Sequence, residues 1–428
     1  MSHKFLRHVV MPSRRHVGPK LLRLAAWGLL GIAGIRWAFF VVREVPRPRP
    51  GLVALYTAAR LVRAGNGVER FYDDEWFQTQ VRRVTPTVRD IYRPNPPTAV
   101  LLGWPLVVLG IDYVGARWVW SVFSTACVLG AVGLLMRADG LQGAGLPLAL
   151  AGLLSYHPWK ADLALGQVYG LLLGLLTLAW YGYRRDRPAV LGTALGLLLA
   201  FKMTGLLLWP LLAVQRRWRA LAWAAGTALA VIGLSLPWLG AAAWWAYGSV
   251  LLHLTDHPSL AVTAYQTQLG FCRHLFAPDP VWNPAPLGVA PWLSDLLWAA
   301  SVLGFLGGSL YAAGVGGSSD AAFAAFTVAG VILNPYALDY HYTLLVLPIL
   351  VLLASGLRKP AGPTMTVLTA AILLTGLNLP YRSPALAVGA WALLAYPKLY
   401  GAWLLWGLAI WMAVRRRDDS RLPRRTPG

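Results

Sequence analysis

LALGQVYGLLLGLLTLAWYGYRRDRPAVLGTALGLLLAFKMTGLLLWPLLAVQRRWRALA, residues 163–222, is a succession of apolar runs broken by two arginine-rich turns and one solitary lysine. The apolar residues leave no polar face at helical spacing, as expected of helices surrounded by hydrocarbon or by other helices. Arg184, Arg185 and Arg187 close one run and Arg216, Arg217 and Arg219 another. Short loops rich in Lys and Arg stay on the cytoplasmic side of a membrane. The stretch between them therefore has to reach outward to Lys202 and return.

The rest of the chain extends this reading. Of 428 residues, 57% are hydrophobic and 13% charged, with a mean hydropathy of +0.54, more apolar surface than a soluble core can bury. Apolar segments recur from Leu21 to Val414, predicting one all-α polytopic membrane domain over 21–414 between basic cytoplasmic tails at 1–20 and 415–428. A net charge of +21 would point to nucleic acid in a soluble protein, but here it is parcelled into short runs between apolar segments, a topology signal that implies no nucleic-acid partner. The run 21–42 follows a basic stretch and no small-residue cleavage pattern comes after it, so it is expected to be retained as a first helix. Cys127 and Cys272 are too few and too differently placed to suggest a disulfide framework or a metal site.

Placing Arg137, Arg184/Arg185/Arg187, Arg216/Arg217/Arg219, Arg358/Lys359 and Arg415/Arg416/Arg417 in the cytoplasm gives about 11–13 crossings. They fall near 21–42, 114–136, 145–157, 168–183, 188–201, 203–215, 220–238, 290–313, 320–334, 342–357, 361–378 and 385–413. Several are shorter than the ~17–25 residues of a full span, which suits segments dipping into a cavity. The run 98–109 is expected to be re-entrant or obliquely packed. Two long loops, 43–113 and 239–289, then lie outside, where LVALYTAARLVRA (52–64) has the spacing of an interfacial helix or an ordinary loop helix.

Five polar constellations fall on this outer face. YRPNPPTAVLLGWPL (92–106) offers Arg93 and Asn95 behind prolines that a helix start favours for backbone reasons alone; an Arg there can grip a phosphate with two parallel hydrogen bonds. SYHPWKADLALGQVYG (155–170) places Gln167 at a helix mouth, costly in hydrocarbon unless it meets a neighbouring helix or a ligand. Lys202 either snorkels to the interface or holds an anionic group arriving from the membrane. NPYALDYHYTLLVLP (334–348) carries Asp339 and His341, and AYQTQLGFCRHLF (264–276) carries Gln266, Gln268, Arg273 and His274. These last residues suit either a sugar or phosphate site or a structural and solvated role. WWAYG (244–248) is similar to the WWD-type motif of oligosaccharyltransferases but lacks its Asp. No Asp-x-Asp pair, phosphate-binding Walker loop or run of His and Cys ligands is present, so no cofactor and no metal are expected.

Taken in order, YRPNPPTAVLLGWPL, the 163–222 stretch and NPYALDYHYTLLVLP resemble glycosyltransferase family 87, the DUF2029 proteins that include polyprenol-phosphate-mannose-dependent α-1,2-mannosyltransferases. The resemblance spans about residues 50–360. Its most specific part pairs Gly166-Gln167-Val168-Tyr169 with the family's Gly-Gln-Val-Asn and Lys202-Met203-Thr204 with its Lys-Pro-Thr. Residues 334–341 look like Ser-Pro-x-Ser-Trp-x-His-His, keeping Pro335 and His341 and placing Tyr340 at the first His.

The resemblance implies a GT-C bundle with an outward-facing cavity in a bacterial plasma membrane. There, mannose or another hexose passes from a polyprenyl-phosphate donor to a lipid or glycan acceptor on the extracytoplasmic side. Lys202, His341, Arg93 and Arg273 become candidates for the donor phosphate, and Asn95, Gln167, Tyr169, Gln268 and Asp339 for the cavity wall. The family's acidic residue, four to five positions before Tyr-x-Ala-Ala, falls here on Gly51 or Leu52, ahead of Tyr56-Thr57-Ala58-Ala59. Asp73, Asp74 and Glu44, with Glu75 beside them, are the nearest substitutes for a base that takes the acceptor's proton. Without a base, the same cations would suit a transporter or flippase, or a non-catalytic binder, of lipid-linked sugars.

Overall fold

The structure, a computed structural model, describes residues 19–139, 145–317, 319–358 and 362–421; most of both basic tails and Lys359 lie outside them. Among the described residues the chain is predominantly helical and forms no strand. The first helices are α1 (Pro19–Glu44), α2 (Leu52–Arg63), α3 (Asp74–Val84), α4 (Val100–Val108), α5 (Tyr113–Asp139), α6 (Gly145–Ser155), α7 (His157–Leu165), α8 (Tyr169–Arg184) and α9 (Pro188–Lys202). They are followed by α10 (Leu208–Val214), α11 (Trp218–Leu239), α12 (Ala241–Leu252), α13 (Gln268–Phe276), α14 (Pro291–Gly316), α15 (Asp320–Ile332), α16 (Val346–Arg358), α17 (Gly362–Gly376) and α18 (Pro397–Arg421).

Five helical spans among the described residues are long and apolar enough to cross a bilayer: Lys20–Glu44, Tyr113–Asp139, Trp218–Leu239, Pro291–Gly316 and Asp339–Arg358. A sixth is possible by length and composition if the bent pair Gly389–Ala395 and Pro397–Arg415 is one span. The count expected from sequence is larger because α6, α9, α15 and α17 are apolar but only 10–17 residues long. The segment expected to cross at 203–215 forms only the seven-residue α10. Backbone amides in hydrocarbon need internal partners, so short helices and irregular breaks belong inside the bundle. The buried faces of α15 and α16 fit that requirement.

Packing follows from small residues. Gly192 and Gly196 on α9 face Ala220 and Ala224 on α11 so closely that an added Cβ would come 2.3 Å from the Ala220 carbonyl oxygen and 2.5 Å from that of Ala224. Such small-residue seams let membrane helices touch backbone to backbone. The helix at 52–63 forms as its spacing predicts, but it does not lie on the surface: Leu52 through Ala59 are buried. The reason is again size, since Gly103 of α4 lets the Leu55 backbone approach to within 2.4 Å of where a Cβ would stand.

The two ends of the bundle differ. At one end the basic turns gather on carboxylates: Asp139 takes Arg184 at 2.5 Å and Arg358 at 3.2 Å, and Asp320 lies 3.6 Å from Arg184. The polar constellations lie at the other end of α5, α8 and α9, as the threading requires.

Candidate active site

Lys202 is the last residue of α9, which stops because Met203 turns into the left-handed region (φ 53°) and sends its amide back to the Leu199 carbonyl at 3.0 Å. The Thr98 hydroxyl donates to the Ala200 carbonyl, fixing the proline-rich turn 94–97 against the helix end. That turn delivers Asn95, whose side-chain oxygen accepts a hydrogen bond from the Lys202 ammonium at 2.6 Å. Asn95 is held from behind: its amide nitrogen donates to the Tyr92 carbonyl at 3.1 Å, and its own carbonyl accepts from the Tyr72 hydroxyl at 3.0 Å. Tyr92 stacks edge-on with Phe71 and Tyr72, giving the turn an aromatic floor. A lysine ammonium has three donors, and this one spends one of them on Asn95.

A carboxylate that the sequence did not single out faces the same lysine. Asp90 accepts the Gly51 amide at 2.6 Å and the Ile91 amide at 3.0 Å, one on each oxygen. It lies close enough to Lys202 for each charge to act on the other. Both side chains are set deep in the protein yet remain partly accessible, the signature of a recess. Burial pushes the Asp90 carboxyl up to about 6, outweighing the Gly51, Ile91 and Ala54 amides and the Lys202 ammonium, which pull it down.

Gly51 makes the contact possible. Its φ of 125° and the Leu165 carbonyl oxygen, 2.3 Å from any Cβ built there, leave no room for a side chain. The Gln167 side-chain nitrogen stands 3.1 Å from the same point, which brings Gln167 to the recess. Tyr169 and His341 enter from the other side, with ring centroids 4.4 Å apart, and Tyr340 stacks on His341 at 4.6 Å. The Leu338 amide donates to His341 Nδ1 at 3.1 Å, fixing the ring. Asp162 positions this wall by accepting the Tyr169 and Gly170 amides at 3.0 and 3.1 Å, capping α8 from a distance. Buried Arg117 ties the end of α1 to α7 through the Val45, Glu44 and Ala164 carbonyls.

The recess therefore gathers Asn95, Gln167, Tyr169, Lys202 and His341 from four separate segments. Arg93 and Arg273 stand apart, in an outer group where their charges act on Tyr336. Asp74 joins them, its oxygen 3.7 Å from Arg93 and its carboxyl raised chiefly by burial. Asp73 caps α3 through the Trp76 amide. Glu44 is engaged by Arg47 at 2.9 Å, Arg49 at 2.5 Å and Arg43 at 3.4 Å.

Other expected site residues have structural partners. Gln268 bridges Ser301 and Trp403, at 2.8 and 3.1 Å. Gln266 reaches the Thr263 and Ala395 carbonyls, at 2.7 and 2.8 Å. His274 sits between the Tyr396 hydroxyl and the Ala387 carbonyl, and its burial lowers its basicity. Asp339 binds Tyr381, Arg382, Lys398 and His157 rather than the recess. Among the described residues no cluster of His, Cys, Asp and Glu is arranged to hold a metal.

A shell of apolar helices around a partly accessible polar recess defines a polytopic membrane protein with a candidate catalytic pocket. Glycosyltransferase family 87 matches residues 94–348; the chain belongs to that family and is a membrane glycosyltransferase. The matched region contains Asn95, Gln167, Tyr169, Lys202 and His341 and begins just after Asp90. No curated protein matches the chain.

Proposed function

We propose that this glycosyltransferase takes a hexose, such as mannose, from a polyprenyl phosphate and passes it to a lipid or glycan hydroxyl in a GT-C-type cavity. The observation that carries the reading is Lys202: a partly accessible ammonium, bonded to Asn95 at 2.6 Å, at the C-terminal end of a short apolar helix. A cation at that depth needs an anion, and a lipid phosphate brings one without leaving the membrane. Lys202 would hold the phosphate oxygens as charge builds on the leaving group. His341, Gln167 and Tyr169 would border the sugar, while Arg93 and Arg273 would guide the headgroup inward.

The basic turns collect at the opposite end of the bundle, which supports an extracytoplasmic recess in a plasma membrane. The test is transfer of label from radiolabelled polyprenyl-phosphate mannose or glucose to an extracted lipid or glycan acceptor. Wild-type protein is expected to transfer, and Lys202→Ala to lose about 10- to 100-fold in donor affinity, the range for a charge-assisted hydrogen bond. Wild-type protein that binds neither donor would overturn the reading.

A further inference from the structure

We propose that Asp90 is the general base of the transfer. The proposal rests on the glycosyl-transfer reading above. Four observations support it. Asp90 is the carboxylate whose charge acts on Lys202, so an acceptor hydroxyl beside it would also lie beside the bound phosphate. It is partly accessible from the recess, whereas Asp73, Asp74 and Glu44 lie with the α3 cap, the outer group and the arginine cluster. Asp90 accepts the Gly51 and Ile91 amides, one on each oxygen, and the Ala54 amide acts on it as well; an ionised carboxylate has about four lone-pair sites, so it keeps room for a substrate hydroxyl. Its anchoring amide belongs to Gly51, at the start of α2, so the carboxylate is fixed beside that helix from 39 residues further along the chain.

The step balances without a further reactant. The acceptor hydroxyl oxygen attacks the anomeric carbon as its proton passes to an Asp90 oxygen. The bond from the anomeric carbon to the phosphate oxygen breaks, and its electron pair leaves on the polyprenyl phosphate beside Lys202. One carboxylate and one displacement invert the anomeric centre. The proton on Asp90 then returns to solvent through the recess. Rigid support suits the role, since a base must hold its oxygen within hydrogen-bond reach of the hydroxyl.

A bystander carboxylate would serve only to neutralise Lys202 or hold Gly51, and the test separates these roles. Transfer and saturable donor binding are measured on the full-length protein as wild type, Asp90→Asn, Asp90→Glu, Asp90→Gly and Asp74→Asn. A general base contributes about 10²- to 10⁴-fold. Asp90→Asn keeps an oxygen for the Gly51 amide and is expected to lose at least ~100-fold in transfer, with donor affinity within about threefold. Added formate is expected to restore part of the rate to Asp90→Gly, as an external base can. Asp90→Glu is expected to keep more activity than Asp90→Asn, and Asp74→Asn to remain within about tenfold of wild type.

The assignment is overturned if Asp90→Asn transfers at a rate close to wild type, or if its donor affinity falls as far as its rate. It is also overturned by an Asp90→Gly variant that formate leaves unchanged while the protein still binds donor. Failure of the wild type itself to bind or transfer either sugar points instead at the donor reading, so the two failures are distinguishable.

Discussion

Two lysine–aspartate pairs sit on the recess end of this protein, and they are used differently. In the first, Lys202 and Asp90 are both partly accessible and lie close enough for each charge to act on the other, and each has hydrogen-bonding capacity to spare. In the second, Asp339 is held by the Tyr381 hydroxyl, by Arg382 at 3.0 Å, by Lys398 at 3.5 Å and by His157 at 3.8 Å. Lys398 is fully buried and gives its remaining donors to the Thr375 and Leu377 carbonyls at 2.9 and 3.2 Å. The second pair is saturated and ties the 377–398 segment to the helix that carries His341. Composition alone would call both pairs functional. Counting their unfilled donors and acceptors assigns ligand chemistry to the first and cohesion to the second.

The contrast breaks most sharply at Asp339. Asp339→Ala leaves the Lys398 ammonium buried without its counter-ion, and is expected to cost about 3–5 kcal/mol of stability, read as a large fall in the unfolding temperature of the detergent-solubilised protein. A variant that unfolds like wild type but loses only donor binding would move Asp339 into the recess.

Next in size is Gly51→Ala. Its Cβ would meet the Leu165 carbonyl at 2.3 Å in a backbone conformation that disfavours side chains, so a loss of about 1–3 kcal/mol is expected. The Gly51 amide would shift with the backbone, and transfer should fall by more than donor binding. Equal losses in both would show that the tie to Asp90 is not specific.

The pH profile sharpens the comparison further. A base must be ionised to accept a proton, and the Asp90 carboxyl sits at about 6. Transfer should therefore be level above that value and fall about tenfold per unit below it. Lys202, Tyr113 and Tyr340, the other ionisable groups around Asp90, ordinarily titrate well above this range. A rate flat down to pH 4.5 would remove Asp90 from the mechanism. The smallest effect belongs to Gln268→Ala, which breaks the Ser301 and Trp403 bonds and should cost about 1 kcal/mol of stability with transfer unchanged.

Much of this arrangement is legible in the chain. Arginine turns mark the helix ends at Arg184 and Arg358, and the one-sided placement of Asn95, Gln167, Lys202 and His341 follows from counting segments between them. Lengths were harder to read, because the chain after the expected crossing at 145–157 forms a further helix, α7, beyond Ser155-Tyr156-His157-Pro158. A proline-bearing junction was the available signal.

Asp90 had no such signal. In Thr87-Val88-Arg89-Asp90-Ile91 it reads as a solvated loop residue beside an arginine, and it is the distant Gly51 amide that ties it to the recess. Gln268, Gln266 and His274 misled in the opposite sense. Polar side chains near a recess look alike in sequence, whether their partners are substrate or a neighbouring helix.

Gly51 and Gly166 also constrain how this protein can diverge. An added Cβ on Gly51 meets the Leu165 carbonyl, and one on Gly166 comes 2.9 Å from the Leu52 Cβ and 3.0 Å from the Arg117 guanidinium. Each glycine thus occupies the space that the other's neighbours need. An acid placed at position 51 by a single substitution would collide with the turn before Gly166 while Asp90 still held the site. A variant that accommodated it would carry two carboxylates competing for one amide, so the two positions cannot both hold an acid without a cost.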